Sequence, residues 1–215
     1  GGKVMDRADA WAMVDTMARM QDAHNVQVHP EWRTQGYRYY RAVWVECAEL
    51  LDHFGWKWWK RQQPDLDQVR LEVVDIWHFG LSDLMRAGTL DESVAERLMA
   101  VTDEPAGDGE AFRAAVEGLA QQTLSDRLFA MEPFVAVLDS LPLPLTELFR
   151  LYVGKNVLNH FRQDHGYKAG TYRKTWQGRE DNEHLVELLA DLDGVPADTV
   201  PERLYQALAG RYAGG

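Results

Sequence analysis

The stretch Ala42-Val-Trp-Val-Glu-Cys-Ala-Glu-Leu-Leu51 carries only two charged residues, Glu46 and Glu49. Its apolar residues recur at the spacing of an amphipathic helix, and residues three apart lie on one helix face. At about 100° per residue, Val43 and Leu50 share that face with Glu46. The pattern therefore predicts a helix whose two carboxylates point into the core.

The stretch Leu71-Glu-Val-Val-Asp-Ile76 repeats this arrangement with Glu72 and Asp75. Four carboxylates that converge in an apolar setting are costly unless some are protonated or a cation compensates them. Magnesium prefers oxygen ligands and shares its coordination shell with substrate phosphates. We therefore predict that Glu46, Glu49, Glu72 and Asp75 form a Mg²⁺ site on two consecutive helices.

Helical periodicity extends over most of the chain, and no segment shows the sustained two-residue alternation of a β-hairpin. The fold class expected is all-α, a helical bundle with a four-helix metal-binding core. The predicted helices cover residues 7–24, 37–54, 66–86, 91–101, 110–121, 125–140, 144–162, 181–192 and 200–211.

The same pattern predicts one domain over residues 1–215. A rigid helical core is expected at about 6–86 and 144–192, with a helical insertion at about 90–142 that carries no recognisable motif. Turn-rich segments such as the stretch that begins at Pro105 mark the connections.

Charge and composition limit the possible partners. The formal net charge is −11, which argues against general nucleic-acid binding. No apolar run reaches the roughly 18 residues of a membrane span, and the single Cys47 indicates a reducing, cytoplasmic setting and a packing role. A local basic segment could still bind a small polyanion such as a triphosphate. It contains one acid, Asp164, and five basic residues: Lys155, Arg162, Lys168, Arg173 and Lys174.

Several motifs together resemble the dimeric dUTPases, an all-α family of nucleoside triphosphate pyrophosphatases. The two acidic pairs resemble the metal-binding signature of that superfamily. Three further segments match the dimeric dUTPases in the same order along the chain: Gln21-x-x-x-Asn25 before Trp32, Gly55-Trp-Lys-Trp-Trp-Lys60, and the stretch from Gly154 to Tyr172.

The resemblance implies a homodimeric enzyme that hydrolyses dUTP, and also dUDP, by magnesium-assisted attack of water. Glu49 and Glu46 would be catalytic, with Glu49 orienting the water or acting as general base. Gln21 and Asn25 would recognise uracil through their amides, and Trp59 would stack on the base. The implied phosphate- and sugar-binding residues are Lys155, Asn159, Arg162, Lys168 and Tyr172.

Other functions fit parts of the sequence. A related pyrophosphatase could act on dCTP or a modified dNTP, since metal chemistry alone does not select the base. A di-iron bundle would need two Glu-x-x-His-type motifs, whereas the chain offers only Asp75-x-x-His78. A noncatalytic helical interaction module would leave the inward carboxylates and the basic segment unrelated.

Overall fold

Helices account for most of the residues that the computed structural model describes, 4–104 and 107–215. The predicted all-α class is confirmed. The helices are α1 (Arg7–Val28), α2 (Tyr39–Phe54), α3 (Leu66–Ala87), α4 (Glu92–Met99), α5 (Gly109–Asp126), α6 (Met131–Ser140), α7 (Leu145–Asp164), α8 (Asp181–Asp191) and α9 (Val200–Ala213). Short 3₁₀ helices cover Trp32–Thr34 and Ala197–Thr199.

The chain divides into two compact units, Gly1–Leu148 and Phe149–Gly215. The first contains α1 to α6 and the start of α7, whereas the second contains the rest of α7, α8 and α9. The single domain expected over residues 1–215 stays a prediction, as do its rigid core and its insertion.

Acidic caps determine where several helices begin. Asp6 and Asp9 form a reciprocal capping box at α1, with hydrogen bonds of 2.8 and 3.2 Å between side chains and backbone amides. Asp65 caps α3 and Asp108 caps α5, each by accepting one hydrogen bond from a backbone amide in the first turn of its helix. At its other end α3 stops at Gly88, which adopts the left-handed conformation (φ 71°) common after helices.

In the first unit, α2 packs against α3 and α5, while α1 contacts α3 and α4. The apolar faces of these helices form a core in which Trp77 stacks on Phe134, with ring centroids 5.5 Å apart. Val43, Leu50 and Val73 are fully buried between the helices. This core supports the faces of α2 and α3 that carry the acidic pairs.

The helix predicted over 125–140 begins later than expected. α5 runs on to Asp126, Arg127 takes a positive φ of 54°, and α6 starts only at Met131. The amide of Phe129 donates to the buried Asp83 carboxylate at 2.8 Å. Its ring lies so close to Gly80 that a Cβ there would be 2.6 Å from a ring carbon. These tertiary contacts, absent from the local pattern, fix the break.

In the second unit, a small antiparallel hairpin pairs β1 (Thr175–Trp176) with β2 (Arg179–Glu180). It was not predicted, because two-residue strands are too short for an alternating pattern. The turn residues Gln177 and Gly178 both have positive φ, which matches the mirror-image turn preferred in tight hairpins. Trp176 is fully buried, and its carbonyl oxygen lies 2.8 Å from Nε2 of His184 on α8.

Within residues 4–104 and 107–215, none of the helices combines the length and the apolar character that crossing a membrane would need.

Candidate active site

Three of the four predicted metal ligands converge in the first unit. Glu46 on α2 and Glu72 and Asp75 on α3 each offer an oxygen, and these oxygens lie within 4.8 Å of one another. Glu72 is buried, and the other two side chains are partly exposed. Helical pairing of α2 with α3 therefore brings together acids separated by more than twenty residues, as the acidic pattern predicted.

The buried oxygens of this group fit a cation. Among the described residues, Oε2 of Glu46 and Oε2 of Glu72 are buried and accept no hydrogen bond. Burial, together with the neighbouring acids Glu72, Asp75 and Glu49, raises the pKa of Glu46 from 4.5 to about 9. An all-carboxylate donor set suits magnesium better than metals that prefer nitrogen or sulfur. The group could hold a divalent metal ion.

Glu49 differs from the expectation that all four acids face the core, because its side chain is exposed. Three residues advance a helix by about 300°, so Glu49 is rotated about 60° from Glu46. This rotation places the Glu49 side chain at the edge of the buried helix face, where it is exposed to solvent. The inward orientation predicted for Glu49 is therefore wrong, whereas its catalytic and metal-binding roles stay predictions.

His53 and Cys47 lie beside the acidic group on α2. Nδ1 of His53 is 3.5 Å from Oε1 of Glu72, so His53 is a polar neighbour of a predicted ligand. Cys47 is buried, and burial together with the charge of Glu46 raises the pKa of its thiol to about 12. A thiol that stays protonated supports the packing role predicted for Cys47.

The two predicted uracil-binding amides are buried on α1 and face α3. Nε2 of Gln21 donates to Oδ1 of Asn25 at 3.0 Å and lies 3.1 Å from Nε2 of His78. Nδ2 of Asn25 donates to Oγ of Ser82 at 2.9 Å. These contacts fix the orientation of both amides. Base recognition by this pair stays a prediction.

The connection after α1 is held by Asp22, whose carboxylate accepts a 3.0 Å hydrogen bond from Nε1 of the buried Trp32. The acid between the two amides therefore binds the following 3₁₀ helix and is not part of the amide pair.

Trp59 lies in an ordered loop between α2 and α3. Oε1 of Gln62 accepts from the backbone amides of Trp56 and Lys57 at 3.0 and 2.7 Å, which closes the loop. The Trp59 ring is 58% exposed and makes edge-on contacts with Trp56 and Trp58, at centroid distances of 5.4 and 4.6 Å. Its accessible face could accept a flat ring, and stacking on a base stays a prediction.

In the second unit, α7 and the loop after it carry the predicted phosphate- and sugar-binding residues. Asn159 and Lys168 are exposed, and Lys155 is partly exposed. Arg162 and Tyr172 are partly exposed, and both bind the carboxylate of Asp181. The structure therefore brings Arg162 and Tyr172 together, although their predicted function stays untested.

Gly166 is required by the loop that follows α7. It adopts a φ of 89°, and a Cβ at this position would lie 1.9 Å from Oγ1 of Thr171. The backbone oxygen of Gly166 accepts from the amide of Thr171 at 3.0 Å, which closes the loop. Any larger residue would open this turn and displace Lys168 and its neighbours.

Asp181 is a polar residue of this segment that the sequence pattern did not single out. It lies at the start of α8, where acids are common because they interact favourably with the helix dipole. Its partner Arg162 is 19 residues earlier in the chain, so local spacing gives no signal of the contact. The local sequence signal for Asp181 is the pair of acids at a helix start in the run Gly178-Arg-Glu-Asp-Asn182.

We predict that stability of the metal-free protein falls as pH rises, because the folded-state pKa of Glu46 is raised. The destabilisation is absent below about pH 4.5, grows between about pH 4.5 and 9 because Glu46 ionises in the unfolded chain but keeps its proton in the folded one, and is complete above about pH 9. Glu46→Gln should reduce this fall. Thermal unfolding of both proteins in chelator across this pH range would test it, and parallel curves for the two proteins would contradict the assignment.

Comparison with known families identifies the family of the chain. A family model described as dUTPase matches residues 13–167, which is 155 of the 215 residues. The match includes both acidic pairs and the amide pair, and it ends before Lys168 and Tyr172. No curated protein matches the chain. The resemblance inferred from the motifs is thereby confirmed.

Proposed function

The chain belongs to the dUTPase family, and from that premise we propose that this dUTP diphosphatase works by magnesium-assisted attack of water. The products would be dUMP and pyrophosphate from dUTP, and dUMP and phosphate from dUDP. The observation that carries the proposal is the convergence of Glu46, Glu72 and Asp75 within 4.8 Å, with two buried oxygens unsatisfied among the described residues. Such oxygens are costly unless a cation binds them or the carboxyl group is protonated, and a bound cation lets both groups stay ionised.

The four acids have two roles in this proposal. Glu46, Glu72 and Asp75 hold the metal, and bound magnesium would polarise a phosphate oxygen and acidify a water molecule. Glu49 is exposed beside this group, so it can reach a water from the solvent side. We assign Glu49 the role of orienting that water and accepting its proton.

The base is recognised by the amides of Gln21 and Asn25 and by the ring of Trp59. Uracil presents a donor and two acceptors on its pairing edge, which amide groups can match. Hydrogen bonds to His78 and Ser82 already fix the two amides, so they do not need to be ordered when substrate binds. Trp59 supplies an accessible apolar face for stacking.

Residues of α7 and the loop after it are proposed to bind the phosphates and the sugar. Lys155, Arg162 and Lys168 supply positive charge, while Asn159 and Tyr172 supply hydrogen bonds. The chain as a whole is acidic, with a net charge of −11, so this local charge is needed to bind a triphosphate.

The chain is also proposed to act as a cytoplasmic homodimer. Trp44 and Val45 on α2 are 38% and 41% exposed, and Leu66 and Leu71 on α3 are also exposed. An interface between two copies would cover these apolar side chains. Light scattering should give twice the chain mass, and a monomer at micromolar concentration would contradict the proposal.

A substrate panel tests the function directly. Each dNTP and NTP, and dUDP, is incubated with enzyme and magnesium, and the products are separated as monophosphate, pyrophosphate and phosphate. We expect dUTP to be the preferred triphosphate, with dUMP and pyrophosphate as products. Preferred hydrolysis of dCTP would favour the alternative of another dNTP pyrophosphatase, and release of dUDP would contradict the proposed reaction.

Removing the charge of Lys168 should weaken binding of a non-hydrolysable dUTP analogue. The loss of affinity should be larger at low salt than at high salt. The reason is that an exposed charge attracts phosphate strongly only when ions do not screen it. Calorimetry of Lys168→Ala at two salt concentrations measures this. Arg203→Ala, an exposed cation on α9, is the control and should change affinity little. Equal affinities for Lys168→Ala and parent at low salt would exclude the contact.

A further inference from the structure

Asp181 is the centre of a hydrogen-bond network in the second unit. Its Oδ2 accepts from Nε of Arg162 at 2.9 Å and from the hydroxyl of Tyr172 at 2.6 Å, while its Oδ1 accepts from Nη2 of Arg162 at 3.0 Å. One edge of the guanidinium, formed by Nε and Nη2, is therefore bound by both oxygens of one carboxylate. Such paired hydrogen bonds fix the plane of the guanidinium as well as its position.

The carboxylate of Asp181 is completely buried, whereas the Arg162 side chain keeps 22% of its surface exposed. Burial of Asp181 acts against its ionisation, but the hydrogen bonds from Arg162 and Tyr172 outweigh it and hold the pKa of that carboxyl below its usual value. Asp181 is thus an anion that the solvent does not reach, and its partners are fixed by it.

The ring of Tyr172 is held as firmly as its hydroxyl. It stacks on Tyr212 of α9, with the ring planes 2° apart and the centroids 5.7 Å apart. Arg173 covers Tyr212, with its guanidinium carbon 4.3 Å from the ring centroid, and donates to the Tyr212 carbonyl oxygen at 2.7 Å. Residues on α8 and α9 therefore fix a side chain of the loop after α7.

We propose that Asp181 is a positioning residue, which holds Arg162 in the orientation that donates to the substrate phosphates and Tyr172 in the orientation in which its hydroxyl oxygen accepts from the sugar. This inference rests on the phosphate- and sugar-binding roles proposed for these two side chains. Asp181 uses the Nε and Nη2 groups of Arg162, and Nη1 is the remaining nitrogen of the guanidinium. A guanidinium fixed in advance loses less rotamer entropy when phosphate binds. Asp181, Tyr212 and α9 lie beyond residue 167, where the family match ends.

The direction in which triphosphate affinity changes distinguishes a positioning role of Asp181 from a purely electrostatic one. Removing the negative charge of Asp181 makes the segment more positive, so electrostatics alone predicts tighter binding of a triphosphate. Positioning predicts weaker binding, because Arg162 and Tyr172 lose their common acceptor. The two explanations therefore predict opposite changes in the KM for dUTP.

The test compares Asp181→Asn with Asp193→Asn in the whole 215-residue chain. Asp193 pairs with Arg150 at 2.7 Å in the same unit, but its side chain is 74% exposed, so the control removes the same charge from an exposed ion pair. For Asp181→Asn we expect about a 100-fold loss of kcat/KM for dUTP, mainly through KM, since small displacements of binding groups are costly. Asp193→Asn should keep the parent values.

One further variant covers the case in which Asp181→Asn fails to fold, which circular dichroism would reveal. Tyr172→Phe removes only the hydroxyl that donates to Asp181, and it should raise KM by about tenfold, the loss of one hydrogen bond to a charged group. The double variant Arg162→Lys with Asp181→Asn should lose less than the sum of the single losses, because Asp181 acts through Arg162.

The outcomes distinguish this inference from the proposed function. A parent protein without dUTP hydrolysis would overturn the proposed function itself. An active parent with an unchanged or lower KM in folded Asp181→Asn, or an unchanged KM in Tyr172→Phe, would overturn the positioning role alone. Fully additive losses for Arg162→Lys and Asp181→Asn would also overturn it.

Discussion

Replacing Glu46 by Gln is expected to lower the rate of dUTP hydrolysis by about 10²- to 10³-fold, since a lost metal ligand removes several kcal/mol of transition-state stabilisation. Glutamine keeps the shape of the side chain, and Oε2 of Glu46 makes no hydrogen bond among the described residues. The fold should therefore persist. Initial rates at saturating dUTP, over a range of magnesium concentrations, measure the effect.

The matched control is Glu117→Gln, which removes the same charge from an exposed position on α5 and should keep the parent rate. Glu49→Gln should lower kcat by about 10²-fold or more, because we assign Glu49 the role of orienting the attacking water and accepting its proton. The magnesium requirement should stay near that of the parent. Near-normal turnover of Glu46→Gln at saturating magnesium would show that the acidic group is not the metal site.

Replacing Arg162 by Ala is expected to destabilise the folded chain by about 3 kcal/mol, since breaking a buried ion pair leaves an uncompensated charge. The charge left behind is Asp181, which is completely buried and keeps only the hydroxyl of Tyr172 among its side-chain partners in the described residues. Denaturant unfolding measures the loss. The double variant with Asp181→Asn should regain part of the stability, because the buried charge is gone.

Arg150→Ala is the control for this stability effect. It breaks the Arg150–Asp193 pair, whose carboxylate side chain is 74% exposed, and should cost less than about 1 kcal/mol. If Arg162→Ala and Arg150→Ala destabilise the chain equally, the buried carboxylate of Asp181 does not depend on Arg162 for its compensation.

The helices and the acidic group were predictable because their signals are local. Apolar periodicity, with acidic caps at the start of several helices, indicates most of the helices from residues within a few turns. The convergence of Glu46, Glu72 and Asp75 followed from one further step, since acids on the apolar faces of consecutive helices meet when those helices pair. Both features depend on side-chain spacing alone.

Other features depend on contacts between distant residues, which spacing does not encode. The break before α6 is fixed by Asp83 and Gly80, which lie more than forty residues before Phe129. The partnership of Asp181 with Arg162 is equally nonlocal. Glu49 shows a different limit, because a rotation of about 60° around a helix separates a buried position from an exposed one.

The central claim is that the carboxylates of α2 and α3 hold the metal, and anomalous scattering from crystals grown with Mn²⁺ and a non-hydrolysable dUTP analogue tests it most directly. Manganese prefers the same oxygen ligands as magnesium and can be located by its scattering. We predict an anomalous peak about 2.1 Å from carboxylate oxygens of Glu46, Glu72 and Asp75. Bound analogue without a peak beside these three carboxylates, or with the only peak elsewhere, would contradict the claim.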